Sequence, residues 1–170
     1  MALMTLAELQ KRTVAYADSV KSMKDVNPAT FSAAIGMRLE PIETGAESLK
    51  SGGLPLAAGY QFFANYVPYG AKNELPIHKV AFLPASGISF TEDPKAECVW
   101  DAAAAGSELE AVGFQRGAER PFQRGSLQRY WRDLAEENMV FDASLMTYTT
   151  STNAGERTCV YAVRYSGGEK

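Results

Sequence analysis

Between Thr5 and Met23 the chain repeats at helical spacing. Leu6, Leu9, Thr13, Ala17 and Val20 fall on one stripe with Met23 beside it, and Glu8, Lys11, Arg12, Asp18 and Lys21 line the other side. Thr5-Leu6-Ala7-Glu8 has capping-box form, so the pattern predicts an amphipathic helix over Leu6 to Met23. Asn27-Pro28 offers an N-cap with proline at the first helical position, and Gly36 a stop, which predicts a second, short helix over Pro28 to Ile35.

From Met37 the pattern changes to short aromatic and β-branched runs broken by glycine and proline. Strands are expected at Met37 to Ile42, Tyr60 to Val67, His78 to Leu83 and Cys98 to Ala102. Thr44 to Gly59 reads as a long exposed loop, in which Leu54 and Leu56 follow Gly52-Gly53 and offer two apolar side chains to a partner's cleft or to their own domain. Met139 to Thr150 and Thr158 to Tyr165 read as a hairpin turned at Ser151 to Gly155, with Cys159, Tyr161, Val163 and Tyr165 on one face. Leu127, Tyr130, Trp131, Leu134 and Ala135 recur at helical spacing behind Ser126 and predict a late helix, although tertiary pairing would make the same residues a strand.

These elements make a single α+β domain over residues 1–170, with only 167–170 fraying. Its expected form is a curved antiparallel sheet with the N-terminal helix and the later helix on one face. A cystatin-like or NTF2-like cup is the architectural analogy, resting on element order alone. At 170 residues the chain is long enough to bury roughly 70% of its unfolded surface without metal or disulfide support.

Charge adds one feature. The chain carries −3 with a pI near 5.3, yet Phe114 to Arg132 holds five of the nine arginines and one acid, Glu119, for +4, which leaves −7 on the remainder. Phe-Gln-Arg-Gly occurs there twice, at 114–117 and 122–125, and the segment ends Arg129-Tyr130-Trp131-Arg132. Arginine forks suit carboxylates and phosphates. Arginine with aromatics also marks protein interfaces and single-stranded nucleic-acid platforms, and a plain hairpin whose arginines pair with acids would show the same spacing. An acidic protein lacks the basic surface that nucleic acid or an anionic membrane needs, so neither is an expected partner.

Catalytic chemistry finds little support. His78 is the only histidine, so no histidine cluster can hold a metal, and after Pro76 it reads as a strand-end structural residue. Glu92-Asp93, Glu108 with Glu110, and Glu136-Glu137 sit among polar residues as solvated pairs. Nucleotide loops, EF-hand loops and the Gly-x-Ser-x-Gly elbow do not occur. Cys98 and Cys159 form no Cys-x-x-Cys pair and read as two buried small hydrophobes, with one disulfide open to them. The chain shows neither a signal peptide nor a membrane span, which places it in the cytoplasm by default, or in the periplasm or medium if a leader has been removed.

The resulting expectation is a soluble, non-catalytic protein that binds another protein in the manner of an inhibitor, immunity or adaptor protein. No cofactor, metal or catalytic residue is assigned. The binding residues would be Leu54, Leu56, Phe114, Arg116, Arg120, Phe122, Arg124, Arg129 and Trp131. The alternative is a cup for a small apolar or anionic ligand, lined by Tyr60, Phe62, Tyr66, His78 and Trp100; an enzyme built in such a cup stands behind both.

Overall fold

Thr5 and Asn27 set where the first two helices begin. The Thr5 hydroxyl accepts from the Glu8 amide at 3.0 Å and opens α1 (Leu6–Ser19). The Asn27 side chain accepts from the Thr30 amide at 2.9 Å and opens α2 (Pro28–Ile35), which Gly36 closes at φ 80°. This is a computed structural model of the chain, describing residues 2–68, 70–153 and 155–170. α1 ends at Ser19 rather than Met23, because Val20 turns extended and the Asp25 carboxylate accepts from the Lys21 and Ser22 amides, supporting a separate 3₁₀ turn at Met23–Asp25.

Nine antiparallel strands and a third helix complete the domain. They are β1 (Glu40–Pro41), β2 (Leu49–Lys50), β3 (Leu54–Leu56), β4 (Tyr60–Val67), β5 (Leu75–Pro84), α3 (Ala102–Ala111), β6 (Gln115–Phe122), β7 (Gly125–Asp133), β8 (Met139–Thr152) and β9 (Gly155–Glu169). Across the open sheet the order is β1-β2-β4-β5-β9-β8-β7-β6, with β3 also on β4. The C-terminal hairpin is therefore the middle of the sheet. Residues 167–169, expected to fray, lie within β9: Gly167 pairs with both Leu75 and Phe141, and the Lys170 amide donates to the Asn138 carbonyl at 2.7 Å. Ala154, in the expected turn, lies outside the described residues.

The helices cover one face, as the α+β expectation requires. Tyr16 of α1 and Phe31 of α2 pack on His78, Phe141 and Tyr165 from β5, β8 and β9, with ring centroids 4.8 to 6.4 Å apart. Beneath α1, the gap among Thr13, Trp100, Leu109 and Val163 has no room for a water molecule.

Four expectations are corrected. Leu127–Ala135 is not a helix; its first part is the strand β7, bonded to β6 on one side and β8 on the other, and two ladders outweigh a local helical period. Ser126 donates its amide to the Thr147 hydroxyl instead of capping a helix. Cys98 to Ala102 makes only an isolated bridge, Asp101 to Cys159, before α3 begins at Ala102. Met37 to Ile42 shrinks to the two residues of β1. The stretch 44–59 is partly ordered as β2 and β3, with Leu56 buried and Leu54 half-buried against the sheet.

Cys98 and Cys159 form a disulfide, so they are not free buried thiols. It fastens the stretch before α3 to β9, beside bonds from the Thr150 hydroxyl to the Ala96 carbonyl and from the Ser151 amide to the Pro94 carbonyl.

Gly106 sits mid-helix because α3 crosses Tyr130. A Cβ there would stand 2.1 Å from the Tyr130 hydroxyl and 2.9 Å from the ring carbon bearing it. Gly106→Ala should therefore destabilise the fold by about 1–3 kcal/mol despite alanine's better helix propensity. Adding Tyr130→Phe should recover a large part of the loss; urea titration of the four proteins of this cycle would refute the account if the two changes were additive.

Candidate functional site

The sheet face away from the helices carries the expected arginines in an unexpected setting. Strand alternation places Lys79, Arg120, Arg129, Asp142, Ser144 and Arg164 on this face. Lys79 of β5 lies in register opposite Arg164 of β9, and Arg164 in turn opposite Ser144 of β8. Like charges directly opposed on neighbouring strands cost roughly 0.2–1 kcal/mol. No described carboxylate pairs with either cation. Lys79 stands over the Phe63 ring at 5.6 Å, and burial first, then the Arg164 charge, holds its ammonium below the usual lysine range.

Arg164 opens into a hollow of about 280 Å³ that it shares with Arg120, Arg129, Asp142, Ser144 and Ser166. Three guanidinium groups face one carboxylate there. Asp142 is already taken, gripped at both oxygens by Arg129 at 3.1 and 3.0 Å. Arg120 and Arg164 have no ion-pair partner among the described residues. Ser144 is 6% exposed and its hydroxyl has no hydrogen-bond partner among the described residues. Since no described buried side-chain oxygen goes unbonded, that hydroxyl is reached from the hollow. A second hollow of about 510 Å³ adjoins the first, sharing Arg129, Asp142, Arg164 and Ser166, and is rimmed by Lys72, Glu74, Ile77 and Glu169.

The expected binding residues are thus divided. Arg120, Arg129 and Trp131 share the open face, where Trp131 packs against Arg129 and Lys170. Arg116 points to the helix side and is bonded to Gln128. Phe114 is buried beneath the Arg132 guanidinium, 4.6 Å from its ring. Phe122 and Arg124 belong to the β6–β7 turn, where Gln123 takes φ 54° and Phe122 pairs with Gly125. The duplicated tetrapeptide thus marks an approach to β6 and a turn, not a repeat. Of the proposed cup residues, Phe62, Tyr66, His78 and Trp100 are core, and the Tyr60 hydroxyl bonds to Glu97. Lys79, Ser144 and Arg164 are not among the binding residues expected from the sequence. Their signal was available in the alternation of Thr158 to Tyr165, which sends Arg164 away from Tyr165.

The described residues include no group of three or more His, Cys, Asp or Glu side chains placed to hold a metal, and no helix long and apolar enough to cross a membrane. Comparison with known protein families, curated proteins and solved structures finds no match. The arrangement on the open face suits an anion: two guanidiniums with no described ion-pair partner and a hydroxyl line one hollow.

Proposed function

We propose that this is a binding protein that recognises an acidic segment of another protein on the open face of its sheet. One carboxylate would seat between Arg120 and Arg164 with the Ser144 hydroxyl as a further donor. The neighbouring hollow and the apolar surfaces of Ile77, Phe63 and Trp131 would take the adjoining residues. The observation that carries this reading is the opposed pair Lys79 and Arg164, a repulsion that an incoming anion would relieve.

Charge argues against two other occupants. A second copy of the chain would set basic face on basic face. A long polyanion such as nucleic acid would meet Glu74 and Glu169 at one end of the trough, on a chain of net −3. The Cys98–Cys159 bridge suits an oxidising compartment, which makes periplasmic or secreted proteins the first place to seek the partner.

Arg164→Ala should leave stability unchanged or raise it by a few tenths of a kcal/mol, while weakening binding of a glutamate-rich peptide about tenfold or more. Calorimetric titration of that peptide into wild type, Arg164→Ala and Arg120→Ala, at low and at physiological salt, checks both parts. Equal affinity for all three proteins would sink the proposal, and acetate binding as tightly as the peptide would reassign the hollow to a small free anion.

A further inference from the structure

A different cleft, on the helix side of the sheet, is built for a ligand of another kind. It holds about 350 Å³ between one stripe of α3 and the inner side of β6, β7 and β8. Ala103, Ser107 and Glu110 follow each other at helical spacing along its wall, and Arg116, Glu119 and Tyr130 face them from the sheet.

Tyr130 is 4% exposed, yet its hydroxyl has no hydrogen-bond partner among the described residues. It is not sealed in, because no described buried side-chain oxygen is left unbonded; it therefore opens to the cleft. Phenylalanine would fill the same core volume. α3 has instead given up a side chain at position 106 to make room for this oxygen. A buried hydroxyl kept at that cost and bonded to nothing is a ligand contact in waiting.

The charges around it are equally unspent. Arg116 turns Nε and Nη2 onto the Gln128 side-chain oxygen at 3.3 and 3.2 Å, and buried Gln128 is itself anchored by donating to the Gly117 and Arg129 carbonyls. The guanidinium is thus held in place, with Nη1 unbonded among the described residues. Neither Glu110 nor Glu119 lies within ion-pair distance of any described cation. Burial raises the Tyr130 phenol above its ordinary value, Arg116 opposes that rise, and both glutamates add to it; all four residues line the same cleft.

A simple anion would be repelled by the two carboxylates, and a simple cation by Arg116. We infer that the cleft binds a small zwitterion of the α-amino-acid class. Its carboxylate goes to Arg116 and the Tyr130 hydroxyl, its ammonium goes to Glu110 and Glu119, and its side chain lies on Ala102, Ala103 and Leu145. The site is independent of the open face, since it lies across the sheet and shares no residue with it.

The test is a thermal-shift screen of the twenty L-amino acids against the full chain, followed by calorimetry of each one that stabilises it. At least one should bind saturably. Its decarboxylated amine and its deaminated acid should each bind at least tenfold more weakly. Tyr130→Phe should weaken binding roughly tenfold and Arg116→Gln about 10- to 100-fold, both with unliganded melting temperatures close to wild type. Amide shifts on titration should cluster at 102–110 and 116–130. The proposal is overturned if none of the twenty binds, if either half-molecule binds as well as the whole, or if binding ignores both substitutions.

Discussion

Arg132→Ala should cost about 3–5 kcal/mol, the largest loss expected from any single surface-adjacent substitution in this chain. Arg132 is only 14% exposed at its side chain and uses nearly all of its donors. Nη2 donates to the Ala17, Asp18 and Val20 carbonyls at 3.1, 2.9 and 2.7 Å, and Nη1 to the Val112 carbonyl at 2.7 Å and the Asp18 carboxylate at 3.3 Å. Ala17 to Val20 is the C-terminus of α1, and Val112 caps the C-terminus of α3. One guanidinium therefore satisfies the orphan carbonyls of two helix ends and meets the negative end of both dipoles. Alanine would take these donors away, leaving the Ala17 carbonyl only the Val20 amide at 3.4 Å, and would uncover Phe114. Arg132→Lys keeps the charge but not the fork, and should lose roughly half as much. Urea titration checks both values; a loss below about 1 kcal/mol for alanine would refute this role.

The same residue shows where the sequence was legible and where it was not. Helix starts could be read because their signals are local: Thr5 and Asn27 cap as their spacing requires, and Pro28 and Gly36 bound α2 as expected. The central hairpin could be read from its two strand-like runs and turn, but the expected alternation holds only from Ala162 to Tyr165: a bulge opposite Met146 and Thr147 puts Cys159 on the other face from Val163 and Tyr165. α3 had a signal that the strand reading of Cys98 to Ala102 hid, namely Asp101 ahead of four alanines, an N-cap before the best helix former. In and just past β7, Leu127, Tyr130, Trp131 and Leu134 satisfy a helical period by coincidence, and only its partners β6 and β8 decide the matter. The arginine cluster was visible as composition, but its division was not. Alternation sends Arg129 to the open face and Arg132 to the helices, and the bulge between Arg116 and Glu119 sets β6 in its own register. Sequence proximity had suggested one recognition surface. The fold makes of it a structural clamp, part of an anion hollow completed by Arg164 from β9, and one wall of an inner cleft.

Acidification should destabilise the protein through His78 by about 3 kcal/mol in all. His78 is fully buried among the rings of Tyr16, Phe31, Tyr66, Phe141 and Tyr165, and no described carboxylate bonds to it. Nδ1 donates to the Pro76 carbonyl at 2.9 Å, so Nε2 accepts from the Tyr16 hydroxyl at 2.7 Å, and the ring is neutral. Burial lowers its pKa from 6.5 to about 4. Between those values the unfolded chain binds a proton that the folded chain refuses, so stability is complete above pH 6.5, falls as pH drops, and levels off below pH 4. Carboxylates titrate over part of this range, and a matched variant separates their effect. Tyr16→Phe with His78→Phe removes donor and acceptor together and keeps the ring packing, so its stability should fall by about 2–3 kcal/mol less than that of wild type between pH 7.5 and pH 4.5. Denaturation at the two pH values measures the difference, and parallel losses in both proteins would show that His78 is not the group being titrated.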